Sequence, residues 1–163
     1  MSDHGFTHLD PKGQARMVDV GEKEVTRRRA VATAVLRASD EVSAALMGTG
    51  PEPLEKGDAQ AIARVAGIAA AKRCHLMIPL CHSVSLTSVE IEMERQAGRG
   101  IVITATANAL DRTGVEMEAL TAASIAALTL YDMAKSRERG MTIESVRLEE
   151  KEGGRSGHWL RGD

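Results

Sequence analysis

The sequence predicts an α+β fold of the ferredoxin-like, split βαβ kind. That is an antiparallel sheet covered by helices on one face, here with an extra short helix. Three observations predict it. Period-two alternation marks strands near residues 30–38, 89–94 and 101–109, and residues 142–148 read as a fourth. Longer segments at residues 58–77 and 115–139 read as helices, the first by its apolar spacing and the second by its alanine content. The resulting order, strand, helix, strand, strand, helix, strand, is that of the split βαβ unit once a short helix near residues 40–47 is set aside.

Each element has a local cause. Residues 1–27 are polar and irregular, with Gly5, Pro11, Gly13 and Gly21. The run Arg27-Arg28-Arg29 leads into AVATAVLRA, where Val31, Thr33 and Val35 alternate with Ala30, Ala32 and Ala34. β-branched side chains suit an extended backbone. Ser39 and Asp40 are cap residues for a helix ending near Met47, with Gly48 beyond it. GTGPEPLEKG is a loop by its Gly and Pro content. The next helix starts near Asp58 and carries Ile62, Val65, Ile68, Ala69 and Leu76, and Pro79 lies just past it. Val89, Ile91 and Met93 alternate with Glu90, Glu92 and Glu94, as in a half-exposed strand, and Gly98-Arg99-Gly100 turns the chain into a hairpin. The long alanine-rich helix ends with Gly140 as its terminating residue. A last strand leads to the glycine-rich, basic tail KEGGRSGHWLRGD. A single domain over residues 1–163 is expected, with residues 1–27 and 150–163 irregular and partly mobile. The uncovered face of such a sheet suits a second subunit.

Composition excludes several classes. With 21 basic and 23 acidic residues the net charge is -2, so no global field draws in nucleic acid or a membrane surface. One Phe, one Tyr and one Trp leave almost no platform for stacking bases. No apolar run reaches the roughly 18 residues of a membrane span. The N-terminus lacks a basic and then apolar leader pattern, so a cytoplasmic location is expected. Two cysteines are too few for a disulfide scaffold.

Four clusters carry candidate chemistry. Asp132 and Lys135 are i and i+3, on one helical face, where a carboxylate and an ammonium can tune each other for acid–base work. The same spacing also describes an ordinary surface ion pair. Lys56 and Gly57 at the mouth of a helix suit an anion, or are a loop lysine before an N-cap Asp58. Residues 151–157, with Lys151 and Arg155 among three glycines, suit a phosphate, or form a flexible tail. In the Cys-His pairs, Cys74, His75, Cys81 and His82 give a zinc set whose spacing is not the usual Cys-x-x-Cys, and Cys81 alone is a candidate nucleophile. The plainer reading is buried thiols and a hydrogen-bonded histidine, with no metal. Glu116 and Glu118, two apart, point in nearly opposite directions on a helix. Glu118 and Asp132 lie about 21 Å apart on one helix at roughly 1.5 Å per residue. They can share a small-molecule pocket only if a second chain completes it.

These segments together resemble the molybdenum cofactor biosynthesis protein C family, the cyclic pyranopterin monophosphate synthases. The resemblance runs from about Thr7 to Gly157. It is carried by THLD, ARMVDVGEKEVTRRRA, KGDAQAIARVAGIAAAKR, IPLCH, TGVEMEALTAASIAALTLYDMAK, MTIESVRLEEK and GGRSG. It implies a lyase that rearranges 3′,8-cyclo-7,8-dihydro-GTP to cyclic pyranopterin monophosphate and releases pyrophosphate, the substrate coming from a radical SAM enzyme that acts on GTP. It implies catalytic Asp132 and Lys135 and an active-site Lys56 and Lys151. It further implies substrate contacts from Leu80, Cys81, His82, Glu116, Met117 and Glu118, with Arg155 in the phosphate loop. No redox cofactor and no resident metal are implied, and Mg²⁺ with the triphosphate stays open. The implied assembly is a homo-oligomer, a hexamer of three dimers with sites between chains. Chains carrying Lys56→Ala and Asp132→Asn would then complement each other if those two residues face one site from different subunits. This chain departs from the family pattern at Ser83, Arg112, Ala134 and Arg155. The two arginines keep a charge able to bind phosphate, whereas Ser83 removes the constraint of a proline beside His82. Two other classes remain at this point, a zinc hydrolase of purine nucleotides and a non-catalytic RNA-binding or regulatory module.

Overall fold

The structure is a computed structural model that describes residues 10, 12–52, 54, 56–155 and 157–162. The chain forms β1 (Thr26–Arg37), α1 (Asp40–Leu46), α2 (Ala59–Ala71), α3 (Cys74–Met77), β2 (Leu86–Gln96), β3 (Gly100–Asp111), α4 (Glu116–Ala134), β4 (Thr142–Glu152) and β5 (Trp159–Leu160). The strands make one antiparallel sheet in the order β2-β3-β1-β4-β5. β1 therefore lies between β3 and β4, and β3 lies between β1 and β2. Each crossover spans an intervening strand, which is the expected split βαβ topology with one strand added.

Alanine dictates the packing. Ala30, Ala32 and Ala34 of β1 and Ala105, Ala107 and Ala109 of β3 are buried. So are Ala119, Ala122, Ala123, Ala126 and Ala127 of α4, which packs across these strands. Methyl against methyl lets the helix backbone come close to the sheet, and dense contact replaces the bulk that aromatic residues supply elsewhere. Ile101, Ile103, Leu36, Leu46 and Leu130 are the largest fully buried apolar side chains of the same core. The alternate residues of the sheet, among them Glu90, Glu92, Thr104, Thr106 and Asn108, line a polar hollow on the other side.

Local signals set most boundaries. Ser39 Oγ accepts the Val42 N–H at 3.3 Å, and Asp58 Oδ1 accepts the Ala61 N–H at 3.0 Å, so both expected caps form. Four boundaries differ from expectation. β1 starts at Thr26 because the arginines before Ala30 pair in register with β3, and the Arg28 and Arg29 side chains find partners nearby. Arg29 reaches Glu150 at 2.6 Å, and Arg28 donates to the Asp111 and Arg112 carbonyls. Residues 58–77 are two helices, α2 ending at Ala71 and α3 beginning at Cys74, and the break turns Cys74 inward while Leu76 and Met77 face out. α4 ends at Ala134, with Lys135 as its cap. Gly140 does not take the left-handed conformation of a terminating glycine. β4 runs on to Glu152 and β5 pairs with it, so the tail expected to be irregular from residue 150 is partly strand. A bulge in β4, where pairing to β1 slips between Thr33 and Val35, holds Ser145 at φ 52°. No helix among the described residues is long and apolar enough to cross a membrane.

Gly67 marks the crossing of α2 over α4. A Cβ there would stand 2.8 Å from the Ala122 carbonyl oxygen and would strike Ile91. Alanine would normally favour a helix interior by about 1 kcal/mol. Overpacking against a backbone atom costs roughly 1–3 kcal/mol. Gly67→Ala is therefore expected to be net destabilising, and urea unfolding that shows a more stable variant would contradict this packing.

Candidate functional site

α4 carries a cluster at each end. At its C-terminal end, Asp132 sits in the last turn and Lys135 at the cap. Lys135 Nζ lies 2.6 Å from Asp132 Oδ1. Lys56, from the loop before α2, brings its Nζ to 3.0 Å from Asp132 Oδ2 and also donates to the Asp132 carbonyl at 2.7 Å. All three side chains are about half exposed. Lys56 thus sits on Asp132, in place of the α2 N-terminus that the sequence suggested, where Asp58 already caps the helix. Hydrogen bonds from Lys135 and then Lys56 hold the Asp132 carboxyl below the usual carboxylate range. Asp132 in turn raises Lys135 above the usual lysine range. At neutral pH the group is one carboxylate gripped by two ammoniums. It carries a spare positive charge for an incoming anion and offers both a proton acceptor and two donors.

At the N-terminal end, α4 starts from Val115 without a side-chain cap. Glu116 folds back against Gly114, and any larger residue at position 114 would collide with its carboxylate. Glu116 lines a cleft of about 710 Å³ together with Arg28, Arg112, Lys151, Gly153, Gly154 and Arg155. That volume falls in the range of small-molecule sites, about 300–1,000 Å³. Gly153 and Gly154 take left-handed φ values of 99° and 72° and lie against the Arg27 carbonyl and the Arg28 guanidinium, which leaves no room for side chains. Arg28 was not singled out from the sequence. It looked like part of a charged run, and its place became visible only when β1 brought it beside residues 153 and 154.

Next to this cleft in the sequence of α4 is Glu118, which is only 2% exposed. Cys81 Sγ lies 3.8 Å from Glu118 Oε1 and 4.0 Å from Cys74 Sγ. Burial raises the Glu118 carboxyl. Burial, together with the Glu118 charge, pushes the Cys81 thiol up to about 12. Cys74 is likewise raised by burial. At neutral pH Cys81 is a thiol, so the candidate nucleophile of the sequence reading is not activated. His82 Nε2–H donates to the Val18 carbonyl at 2.7 Å. The zinc set of Cys74, His75, Cys81 and His82 does not assemble, since Glu118 and neither histidine joins the two thiols. Leu80 is half-buried beside Cys81, and Met117 faces outward at 38% exposure, away from the buried Glu118.

The expected residues therefore divide into Lys56, Asp132 and Lys135 at one end of α4, and Cys81, Glu116, Glu118, Lys151 and Arg155 towards the other. The predicted Lys56–Asp132 complementation loses its basis, because these two residues meet within one chain. The charge state of Asp132 is directly testable. Carboxyl-carbon NMR should titrate it below the ordinary value of 3.8. Removing Lys135 should raise it further than removing Lys56, and an unshifted wild-type Asp132 would disprove the arrangement. Because the folded carboxyl is lowered, any stability it contributes is present above the ordinary carboxyl range and lost as pH falls through the folded value.

Comparison with known proteins adds a family. The model of the MoaC family matches residues 17–154, a span that contains every residue of the two clusters except Arg155. Proteins of Mycobacterium bovis and Mycobacterium tuberculosis, both named cyclic pyranopterin monophosphate synthase 2, are each 54% identical to this chain over 157 residues. The alignment covers 96% of this chain and 91% of each relative. On the strength of both matches, and of the near-complete length they cover, the chain belongs to the MoaC family.

Proposed function

We propose that this chain is a cyclic pyranopterin monophosphate synthase, a lyase of molybdenum cofactor biosynthesis. Its substrate is 3′,8-cyclo-7,8-dihydro-GTP, and its products are cyclic pyranopterin monophosphate and pyrophosphate. The observation that carries the reading is the convergence of Lys56 and Lys135 on Asp132, at 3.0 and 2.6 Å, within the family-matched span. Opening and reclosing the base ring moves protons, which Asp132 accepts and the lysines supply. Closure of the cyclic phosphate forms a bond from a substrate hydroxyl oxygen to the α-phosphorus and breaks the bond to the departing pyrophosphate. Cations offset the charge that develops there. Neither step changes an oxidation state, so no electron carrier is needed, and Mg²⁺ would arrive with the triphosphate. Cys81, His82 and Glu118, with Leu80 beside Cys81, hold the base, Glu116 reaches it from the neighbouring cleft, and Met117 contacts the substrate from the exposed side of α4. Lys151, Arg155 and Arg28 hold phosphate. The substrate is supplied in the cytoplasm by a radical SAM enzyme acting on GTP.

One chain cannot present both clusters to one such substrate, because α4 holds them about 21 Å apart. The active site is therefore assembled between chains in a homo-oligomer, for which a hexamer of three dimers is the reading. The polar hollow of the sheet and the exposed Ile62, Val65 and Leu76 are surfaces available to partners.

Asp132→Asn and Lys135→Ala should fold normally and lose about 10²-fold or more in turnover. Product analysis with the cyclised GTP substrate decides the activity, and its absence in wild-type protein would end the proposal. Complementation decides the assembly. Mixed Asp132→Asn and Lys151→Ala chains should regain up to about one quarter of wild-type activity through hybrid dimers with one intact site. Asp132→Asn mixed with Lys56→Ala should regain none. Recovery only in the second mixture would refute the division of the site.

A further inference from the structure

Cys74 has no part in the proposed reaction, yet its placement is specific. It begins α3 and is 1% exposed. Its Sγ lies 4.0 Å from Cys81 Sγ, which in turn lies 3.8 Å from Glu118 Oε1. One donor atom from each of the three residues lies within 4.8 Å of the others. The second carboxylate oxygen of Glu118, Oε2, is buried with no hydrogen-bond partner among the described residues. A polar atom that is buried and unpaired is costly to keep and asks for a partner that the described chain does not supply.

The spacing identifies the kind of partner. Around a tetrahedral Zn²⁺, with Zn–S near 2.3 Å and Zn–O near 2.1 Å, neighbouring donor atoms stand roughly 3.6–3.8 Å apart. The Cys74–Cys81 and Cys81–Glu118 separations, 4.0 and 3.8 Å, are within a few tenths of an ångström of this, and the third pair lies within 4.8 Å. A disulfide, by contrast, would require the sulfurs to close to about 2.05 Å. Two sulfurs select a soft divalent cation over Mg²⁺ or Ca²⁺. Thr121 Oγ1, 3.5 Å from Cys74 Sγ and three residues along α4 from Glu118, is an outer hydroxyl able to donate to a Cys74 thiolate.

We propose that Cys74, Cys81 and Glu118 form a binding site for Zn²⁺ or a cation of similar softness, with its fourth position open to water. Binding breaks bonds from the hydrated ion to its waters, forms two metal–sulfur bonds and one metal–oxygen bond, and releases the thiol protons and any proton on Glu118 to solvent, with no change of oxidation state. Half-buried Cys81 gives the ion a way in. Cys81 and Glu118 also belong to the proposed substrate site, so cation and substrate exclude one another. That consequence, unlike the site itself, rests on the function proposed above. Cys74 is the residue that would make this enzyme sensitive to zinc.

Cobalt(II) is the direct probe, since thiolate-to-cobalt charge transfer gives a near-ultraviolet band that does not depend on turnover. Wild-type protein should bind about one Co²⁺ per chain with that band, and Zn²⁺ should displace it. Cys74→Ser and Glu118→Gln should abolish the band, whereas His75→Ala and His82→Ala should keep it. Thr121→Val should weaken binding roughly tenfold. Circular dichroism shows whether the near-isosteric Cys74→Ser protein is folded. No band in wild type, or a band that survives Cys74→Ser, overturns the site. In the turnover arm, Zn²⁺ should inhibit wild type in step with occupancy and spare Cys74→Ser. Occupancy without inhibition overturns the mutual exclusion. Absence of turnover in every protein without added metal refutes the proposed reaction and leaves the cobalt result to decide the site.

Discussion

The close approach of α4 to the sheet is the constraint on which the rest of this structure depends. It is possible because both surfaces are alanine, at positions 30, 32, 34, 105, 107 and 109 below and 119, 122, 123, 126 and 127 above. Such a contact tolerates little change of volume, since a methyl-lined interface has no long side chain that can swing aside. Gly67 extends the same logic to the next layer, where α2 can cross α4 only without a Cβ. A helix seated this firmly is a fixed rod, and both ends of that rod carry chemistry.

The two ends are electrostatic opposites. Asp132 and its lysines are half exposed, and the hydrogen bonds between them favour the ionised Asp132 and the protonated Lys135. Glu118 is buried among thiols, where lost hydration favours the protonated form. One helix thus offers an ion cluster suited to moving protons and phosphate charge, and about four turns away a buried carboxylate set among thiols. Within one chain these properties do not meet, which is why assembly and catalysis are linked in the proposed function.

What could be read from the sequence was what is local. Ser39 and Asp58 cap their helices as their neighbours imply, and Asp132 finds Lys135 because i and i+3 always meet on a helix. The separation of Glu118 from Asp132 was also legible, since helical rise is constant. Long-range meetings were not. Lys56 and Asp132 are 76 residues apart, and Cys81 and Glu118 are 37 apart, so only the folded chain brings them together. The ends of β1 and β4 were hidden for another reason. Arg29 and Glu150 look like loop residues until each is seen to neutralise the other across the sheet.

The short β5 protects the molecule from its own sheet. Trp159 and Leu160 pair with β4 at Lys151 and Glu150 and cover the end of that edge. At the opposite margin β2 presents Glu90, Glu92 and Glu94, all exposed. A second copy adding its own β2 there would set rows of carboxylates against each other. Open strand edges are templates for runaway stacking into fibrils, and charge or a covering segment blunts them. Here one edge is covered at its end and the other is charged, so neither margin is a bare template for edge-to-edge pairing.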